Sequence, residues 1–281
     1  RVGYLQLRAS NPAGATYAAQ KALQGRPGDE AAMVLEVEAA LLDASVAPAA
    51  VEALVTALRS AHPASVNGLR LAGDVAVRSK RYAEAERHYQ DAFRQQASFE
   101  LLQRQVSVAV LQGEAKAAVP LVEHWLAEKG EDARAREMLA ELWMRKGNWK
   151  AAREQYESLI AGGNAGAGVF NNLANALLML GEGDAVAAAE QALALAPGEV
   201  SMVDTLGWAL ARAGRLDEAM RHLRDARLRA PQNAEIRWHL AYVLARLGRA
   251  QEARAELQLA LQGSAVEPWV GEARTLYSTL P

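Results

Sequence analysis

The chain has 281 residues, a formal net charge of −2 and no cysteine. The lack of cysteine excludes disulfides, cysteine-ligated metals and a cysteine nucleophile. The near-neutral charge argues against a nucleic-acid partner, because phosphate binding needs clustered positive charge. Apolar residues make up 51% of the chain but aromatic residues only 6%, so alanine and leucine prevail. Both residues favour helices, and the composition therefore predicts an all-α protein.

The N-terminal quarter shows helical patterns without strong repetition. Residues 12–24 predict one helix, and residues 30–63 predict a helix pair whose second helix begins at Pro48. The opening segment, RVGYLQLRAS, lacks the apolar core of a signal peptide. Because the chain begins with Arg1 rather than Met, we expect a processed chain or a fragment. No apolar run reaches the ~20 residues that cross a bilayer, so no transmembrane segment is expected here.

From residue 66 onward, pairs of amphipathic helices recur with a period of 33 or 34 residues. A buried-type residue, usually small, recurs in the first helix of each pair at Gly73, Val106, Ala140, Ala174, Gly207 and Ala241. An alanine recurs in the second helix at Ala85, Ala118, Ala152, Ala185, Ala219 and Ala253. Turn glycines separate the two helices at Gly113, Gly147, Gly181, Gly214 and Gly248. A sustained period of this length is the pattern of a repeat array.

The physics of one repeat predicts how neighbouring helices pack. A single helix pair cannot bury both of its faces, so adjacent repeats must cover the rest. The small first-helix residue lets the second helix approach closely, and a bulky residue at Gly207 would cost roughly 1–3 kcal/mol through overpacking. The turn from Gly181 to Ala185 is one residue shorter than the turn from Gly214 to Ala219. The following loop restores the spacing, so we expect this defect to be local.

The pattern resembles the tetratricopeptide repeat, which reads bulky-x-x-Leu-Gly-x-x-aromatic in the first helix, Ala-x-x-x-aromatic in the second, and proline at the end. Seven residues take these places in one repeat, with aliphatic residues where the family often has aromatics: Val203, Leu206, Gly207, Leu210, Ala219, Leu223 and Pro231. The resemblance implies an all-α solenoid, a right-handed superhelix of antiparallel helix pairs whose first helices line a concave groove. We therefore predict a single domain over residues 1–281. It comprises a partial repeat at 12–24, seven repeats over 30–265 and a capping helix at 267–280.

No catalytic motif interrupts this pattern. The five histidines lack the three- or four-residue spacing of helical metal ligands, and no HExxH, GxSxG or phosphate-binding glycine loop is present. The glycine-rich run at 162–168 lies between repeats and is typical of a flexible connector. We predict a protein without catalytic activity, metal or cofactor.

The predicted groove stripe lies beside the packing stripe of the first helices. Its candidate partner-binding residues are Asn171, Asn172, Asn175, Asp204, Trp208, Trp238, His239 and Tyr242. Asparagine amides both donate and accept hydrogen bonds, so they suit a peptide backbone or a sugar hydroxyl. Tryptophan and tyrosine are common binding anchors. The alternative is that Trp208 and Trp238 only pack between repeats, the role that we predict for Trp125, Trp143 and Trp149.

The C-terminal third is similar to large tetratricopeptide-repeat proteins associated with exosortase (PEP-CTERM) systems and exopolysaccharide export in Gram-negative bacteria. The similarity rests on the segments FNNLANALL, DTLGW, PQNAEIRWHL and EARTLYSTL. It implies a secreted lipoprotein scaffold, periplasmic or associated with the outer membrane, whose lipid-bearing N-terminus is not in this chain. We expect a protein or peptide ligand. The alternatives are a polysaccharide-binding solenoid, a regulatory region cut from a larger enzyme, and a cytoplasmic location.

Overall fold

The structure is a computed structural model that describes residues 2–262 and 267–281. Seventeen α-helices and no strand occur in these residues, which confirms the all-α prediction. The helices are α1 (Val2–Arg8), α2 (Pro12–Gly25), α3 (Glu30–Leu42), α4 (Pro48–Ala61), α5 (Val66–Arg78), α6 (Tyr82–Gln95), α7 (Phe99–Leu111), α8 (Ala115–Lys129), α9 (Ala133–Arg145), α10 (Trp149–Ala161), α11 (Ala167–Leu180), α12 (Ala185–Leu195), α13 (Val200–Arg212), α14 (Leu216–Arg229), α15 (Ala234–Arg246), α16 (Ala250–Ala260) and α17 (Val270–Thr279).

The helices pack in pairs within two compact units, residues 1–128 and 129–281. In the first unit, α5 packs against α6 and also contacts α3. In the second unit, each helix from α9 to α16 packs against the next one along the chain. The first helices of successive repeats also contact each other there, α11 with α13 and α13 with α15. This row of first helices carries the candidate site. The prediction of one domain over the whole chain stays a prediction.

Short polar side chains start many of the helices. Ser65, Asp132, Asn148 and Asp184 each accept a hydrogen bond from a backbone N–H of the first turn that follows. Such caps satisfy N–H groups that have no partner inside the helix. The predicted start of the second helix at Pro48 is confirmed by α4, because proline fits the first helical position.

The predicted close approach of paired helices is confirmed at both first-helix glycines of the repeats. A Cβ atom on Gly73 would lie 2.2 Å from Cε1 of Tyr89, and one on Gly207 would lie 2.7 Å from Cγ of Leu223. The second-helix alanine is completely buried in five repeats, at Ala85, Ala118, Ala152, Ala219 and Ala253. Small residues at these two places therefore bring the helices of one repeat into direct contact.

The turns within repeats use left-handed backbone, which glycine adopts without a steric penalty. Gly214 has a φ of 80°, and four other turn glycines fall in the same region. In the repeat that begins at α5, Lys80 takes this conformation with a φ of 58°. The short turn carries two such residues, Gly181 and Gly183. Ala185 after it is half-buried, but α12 still packs against α11 and α13, so the defect is local as predicted.

The ends of the chain differ in part from the sequence prediction. The helix predicted at 12–24 is α2, and it packs against α1, which the sequence pattern did not predict. The predicted capping helix is α17. Residues 263–266, which include the end of the predicted seventh repeat, lie outside the described residues. Within the described ranges, no helix combines the length and apolar character needed to cross a membrane.

Candidate partner-binding site

A groove with a volume of about 440 Å³ lies on the first helices of the second unit. Five of the eight predicted residues line it: Asn171, Asn175, Asp204, Trp208 and His239. They come from α11, α13 and α15, which follow one another in the row of first helices. The groove brings amide, carboxylate, imidazole and indole groups to one surface. The other three, Asn172, Trp238 and Tyr242, do not line it.

Trp208 is the centre of an aromatic cluster. The His239 ring stacks on its indole with 4.3 Å between ring centroids and an angle of 12° between the planes. Tyr242 contacts the same indole edge-on at 5.1 Å, and Trp238 lies at 6.1 Å. Trp208 is half-buried and faces the groove, so part of its surface is accessible to a ligand.

Trp238 has the packing role that the sequence analysis gave as its alternative. Only 2% of its surface is exposed, and its ring stacks with that of Trp269 at 6.4 Å. It also contacts Trp208 and Tyr242. The indole therefore supports the aromatic cluster from inside. Whether Trp238 contributes to partner binding stays a prediction.

His239 and Asp204 form a buried pair between α15 and α13. Nδ1 of His239 lies 3.0 Å and 3.1 Å from the two carboxylate oxygens of Asp204. A carboxylate only accepts hydrogen bonds, so Nδ1 carries the proton in this pair. The residues are 6% and 9% exposed, respectively. The pair fixes the imidazole that covers one face of Trp208, and it joins two successive repeats.

The three asparagines on α11 are half-buried. Nδ2 of Asn171 donates to Oδ1 of Asn172 over 3.4 Å. Oδ1 of Asn171 is buried and has no hydrogen-bond partner among the described residues. An unpartnered acceptor of this kind costs free energy and can accept a donor from a ligand.

Sequence reasoning missed several residues that line the groove. Trp149, which the sequence analysis assigned to packing, is half-buried and lines the groove. Met144, Asn233 and Glu235 also line it. These residues lie at helix ends or in turns, so helical periodicity gave no signal for them. Trp125 and Trp143 pack as predicted: Trp125 is 6% exposed, and Trp143 packs against the core of the second unit.

In the first unit, the first helices carry an ion-pair network instead. Arg70 donates to Glu38 over 2.5 Å and to Asp74 over 3.2 Å. Nε of Arg104 donates to Oδ1 of Asp74 over 2.8 Å, and the Tyr89 hydroxyl donates to the same oxygen over 2.6 Å. Burial, and then the Asp74 carboxylate, raise the pKa of Tyr89, so the phenol remains a donor. This surface satisfies its own charges.

Comparison with known families identifies the repeats. Two family models described as tetratricopeptide repeat match residues 104–168 and 210–265. These two segments are similar to tetratricopeptide repeats. Such repeats generally mediate protein–protein interaction and are typically non-catalytic. A search of curated proteins by sequence gives no match.

Solved structures of other proteins share the fold. A chain of the APC/C hetero-tetramer Cut9-Hcn1 superposes with a TM-score of 0.62 and 17% sequence identity. The match covers 98% of the present chain but only 55% of the length of the APC/C chain. A tetratricopeptide repeat protein from Parabacteroides merdae has a TM-score of 0.57 and 14% sequence identity, and the match covers 99% of this chain and 96% of that protein. PilF from Pseudomonas aeruginosa has a TM-score of 0.55 and 18% identity, and the match covers 71% of this chain and 91% of PilF. At these identities the likeness shows the fold alone.

Proposed function

We propose that this protein is a non-catalytic scaffold that binds a partner protein or peptide in the groove on α11, α13 and α15. The observation that carries the proposal is the combination of Asn171, Asn175 and the accessible side of Trp208 in one groove. The amides can pair with both the N–H and the C=O groups of an extended peptide. The indole supplies apolar contact area, and tryptophan is over-represented among residues that dominate binding energy.

The packing beneath the groove supports a preformed site. His239, held by Asp204, covers one face of Trp208, and Tyr242 contacts its edge. These contacts restrict the indole before a ligand arrives. Less side-chain entropy is then lost on binding, which favours affinity.

The pathway part of the proposal rests on sequence resemblance. The FNNLANALL and DTLGW segments contribute Asn171, Asn172, Asp204 and Trp208 to the candidate site, and they are also the segments similar to exosortase-associated proteins. We therefore propose a role in bacterial envelope exopolysaccharide secretion or protein sorting, with a periplasmic or outer-membrane-associated location.

The test is affinity capture with a groove variant and a matched control. The immobilised protein is exposed to envelope and soluble fractions of the source cells, and retained proteins are identified by mass spectrometry. The groove variant is Asn171→Ala with Asn175→Ala. The control is Glu190→Ala with Gln191→Ala, two exposed positions on the second helix α12. Circular dichroism and urea denaturation establish that the variants fold.

We expect a partner that the wild type and the control retain and that the groove variant loses by about tenfold or more, as for loss of one or two buried hydrogen bonds. Equal retention by the groove variant would show that the groove is not the site. A partner from outside envelope polysaccharide secretion or protein sorting would overturn the pathway and leave the scaffold function standing. Retention of an oligosaccharide in place of a protein would favour the glycan-binding alternative.

A further inference from the structure

Two repeats of this chain place equivalent residues around equivalent tyrosines, with different outcomes. In the first unit, Asp74 accepts hydrogen bonds from Tyr89 and from the guanidinium of Arg104. Arg104 belongs to the first helix of the next repeat. A carboxylate, a phenol and a guanidinium therefore satisfy one another across two repeats.

The second unit repeats this arrangement without the cation. Counted from the small first-helix residue, Glu141 follows Ala140 as Asp74 follows Gly73, and Tyr156 occupies the place of Tyr89. The place of Arg104 is taken by Asn172 on α11. The acidic residue and the tyrosine are thus retained, but the residue that contributed the guanidinium is neutral.

The Tyr156 hydroxyl is buried and unsatisfied. The residue is 0% exposed, and its hydroxyl makes no hydrogen bond of normal geometry with any described residue. By repeat position, Glu141 and Asn172 lie where Asp74 and Arg104 contact Tyr89, and Glu137 lies one turn before Glu141 on α9. The first helix carries Ala140 at the place of Gly73, where an added Cβ would collide with the Tyr89 ring.

Glu137 and Glu141 lie one helical turn apart on α9. Neither Glu137 nor Glu141 forms an ion pair within 4.0 Å in the part of the chain that the structure describes. More than a third of Glu141 is exposed, yet the protein around its carboxyl excludes water on one side. This partial burial, and then the Glu137 carboxylate, raise the pKa of Glu141, while Arg145 lowers it to a smaller degree. A second cation would stabilise both carboxylates.

We propose that Glu137, Glu141, Tyr156 and Asn172 form a binding site for the guanidinium group of an arginine in the partner protein. The arginine donates to the carboxylates, as Arg104 donates to Asp74 in the first unit. Glu141, held in its charged form, then accepts the hydrogen bond of the Tyr156 hydroxyl. Arginine fits better than lysine, because its planar fork of five donors can contact two carboxylates and an amide oxygen at once.

This inference rests on the proposed function in one respect, that the arginine belongs to the protein bound in the neighbouring groove. Asn171 connects the two places, because it lines the groove and donates to Asn172. A partner segment that carries an arginine beside its groove-binding residues would fill both.

The test uses a capped Gly-Arg-Gly peptide as the probe and its citrulline analogue, Gly-Cit-Gly, as a neutral isostere. Binding is followed by NMR from the side-chain amide signals of the asparagines in the wild-type chain. We expect saturable binding of the arginine peptide, weakened about tenfold in Glu141→Gln, which loses a charge-assisted hydrogen bond. The control Glu154→Gln removes the same charge at an exposed position on α10 and should leave the affinity unchanged. Tyr156→Phe, which keeps the ring, should weaken binding about threefold.

Equal affinity for the arginine and citrulline peptides would overturn the proposal, as would unchanged binding by Glu141→Gln. The capture experiment distinguishes failure of the arginine site from failure of the proposed scaffold function. If Asn171→Ala with Asn175→Ala loses the captured partner while Glu137→Gln with Glu141→Gln retains it, the groove function stands and the arginine site is wrong. If the arginine peptide binds as expected but the asparagine variant keeps its partner, the groove assignment is wrong and the arginine site stands.

Discussion

The hydroxyl of Tyr89 donates a 2.6 Å hydrogen bond to Asp74, whereas the hydroxyl of the equivalent Tyr156 has no hydrogen-bond partner among the described residues. Tyr89→Phe should therefore lower the free energy of unfolding by about 1.5–3 kcal/mol, the range for a hydrogen bond to a charged group. Tyr156→Phe removes no bond and relieves a buried unsatisfied group, so it should leave stability unchanged or raise it by up to about 1 kcal/mol. Urea denaturation followed by circular dichroism measures both, and equal losses would contradict the difference between the two repeats.

Contact between Gly73 and the Tyr89 ring makes the glycine sensitive to a single methyl group. Gly73→Ala should cost about 1–3 kcal/mol of unfolding free energy, because the ring cannot move aside without disturbing its neighbours. Gly168→Ala is the matched control: it lies in α11 with nothing within 4 Å of the added Cβ. The control should gain up to about 1 kcal/mol from helix propensity. A stabilising effect of Gly73→Ala would show that the helices are less tightly packed than described.

Lys80 has a left-handed backbone at the place where the five repeats that follow have a turn glycine, at Gly113, Gly147, Gly181, Gly214 and Gly248. That conformation costs a side-chain-bearing residue about 1–2 kcal/mol, partly offset by the greater flexibility of glycine in the unfolded chain. Lys80→Gly should therefore raise stability by about 0.5–1 kcal/mol, measured by urea denaturation. Gly214→Lys, the reverse change in the second unit, should lower stability by a similar amount. Loss of stability in both variants would contradict the inference that the backbone of Lys80 is strained.

The Asp204–His239 pair should contribute far more than a surface ion pair. Asp204→Ala removes the acceptor of a buried imidazole and should cost about 1–3 kcal/mol. Asp225→Ala is the comparison, because Asp225 pairs with Arg229 on the solvent-exposed surface of α14. Exposed pairs of this type contribute about 0–1 kcal/mol. Thermal unfolding of the two variants measures the loss of stability in each. Equal losses in Asp204→Ala and Asp225→Ala would show that the Asp204–His239 pair is open to water.

The raised pKa of Glu141 predicts the direction of a pH effect. Its carboxyl binds a proton more readily in the folded than in the unfolded chain, so its contribution favours folding as the pH falls. At neutral pH the charged form is unfavourable in the fold, and Glu141→Gln should raise stability. That gain should shrink as the pH drops through the raised pKa and disappear below the ordinary value of about 4.3. Urea titrations at pH 7 and pH 4, with Glu154→Gln as the control for one lost charge, measure it. A gain that is equal at both pH values would contradict the raised pKa.

Periodicity predicted the helix pairs and their contacts, because each repeat uses the same small positions. Side-chain direction was harder to predict. On a helix with 100° per residue, Trp238 lies three positions before Ala241, only about 60° from the packing stripe, whereas Trp208 lies about 100° from Gly207. That difference explains why Trp238 is buried and Trp208 is half-buried, but a stripe drawn from sequence did not separate them.

Pairings between repeats could not be predicted from the pattern. Asp204 and His239 sit on different first helices, and their contact depends on how two helices cross. The unsatisfied hydroxyl of Tyr156 is also invisible in sequence, where Tyr156 and Tyr89 occupy the same place. The residues at three equivalent places differ between the two repeats: Ala140, Glu141 and Asn172 stand where the first unit has Gly73, Asp74 and Arg104.

The turn from Gly181 to Asp184 has a practical consequence for following this protein at work. It has lost one residue relative to the turn at Gly214 while both flanking helices kept their packing partners. Residues 181–184 are exposed, and two glycines with left-handed backbone, Gly181 and Gly183, form the turn. Exposed turns of this kind accept insertions well. A small fluorescent tag placed there would report on the protein in its cell while leaving the asparagines and Trp208 of the groove unaltered.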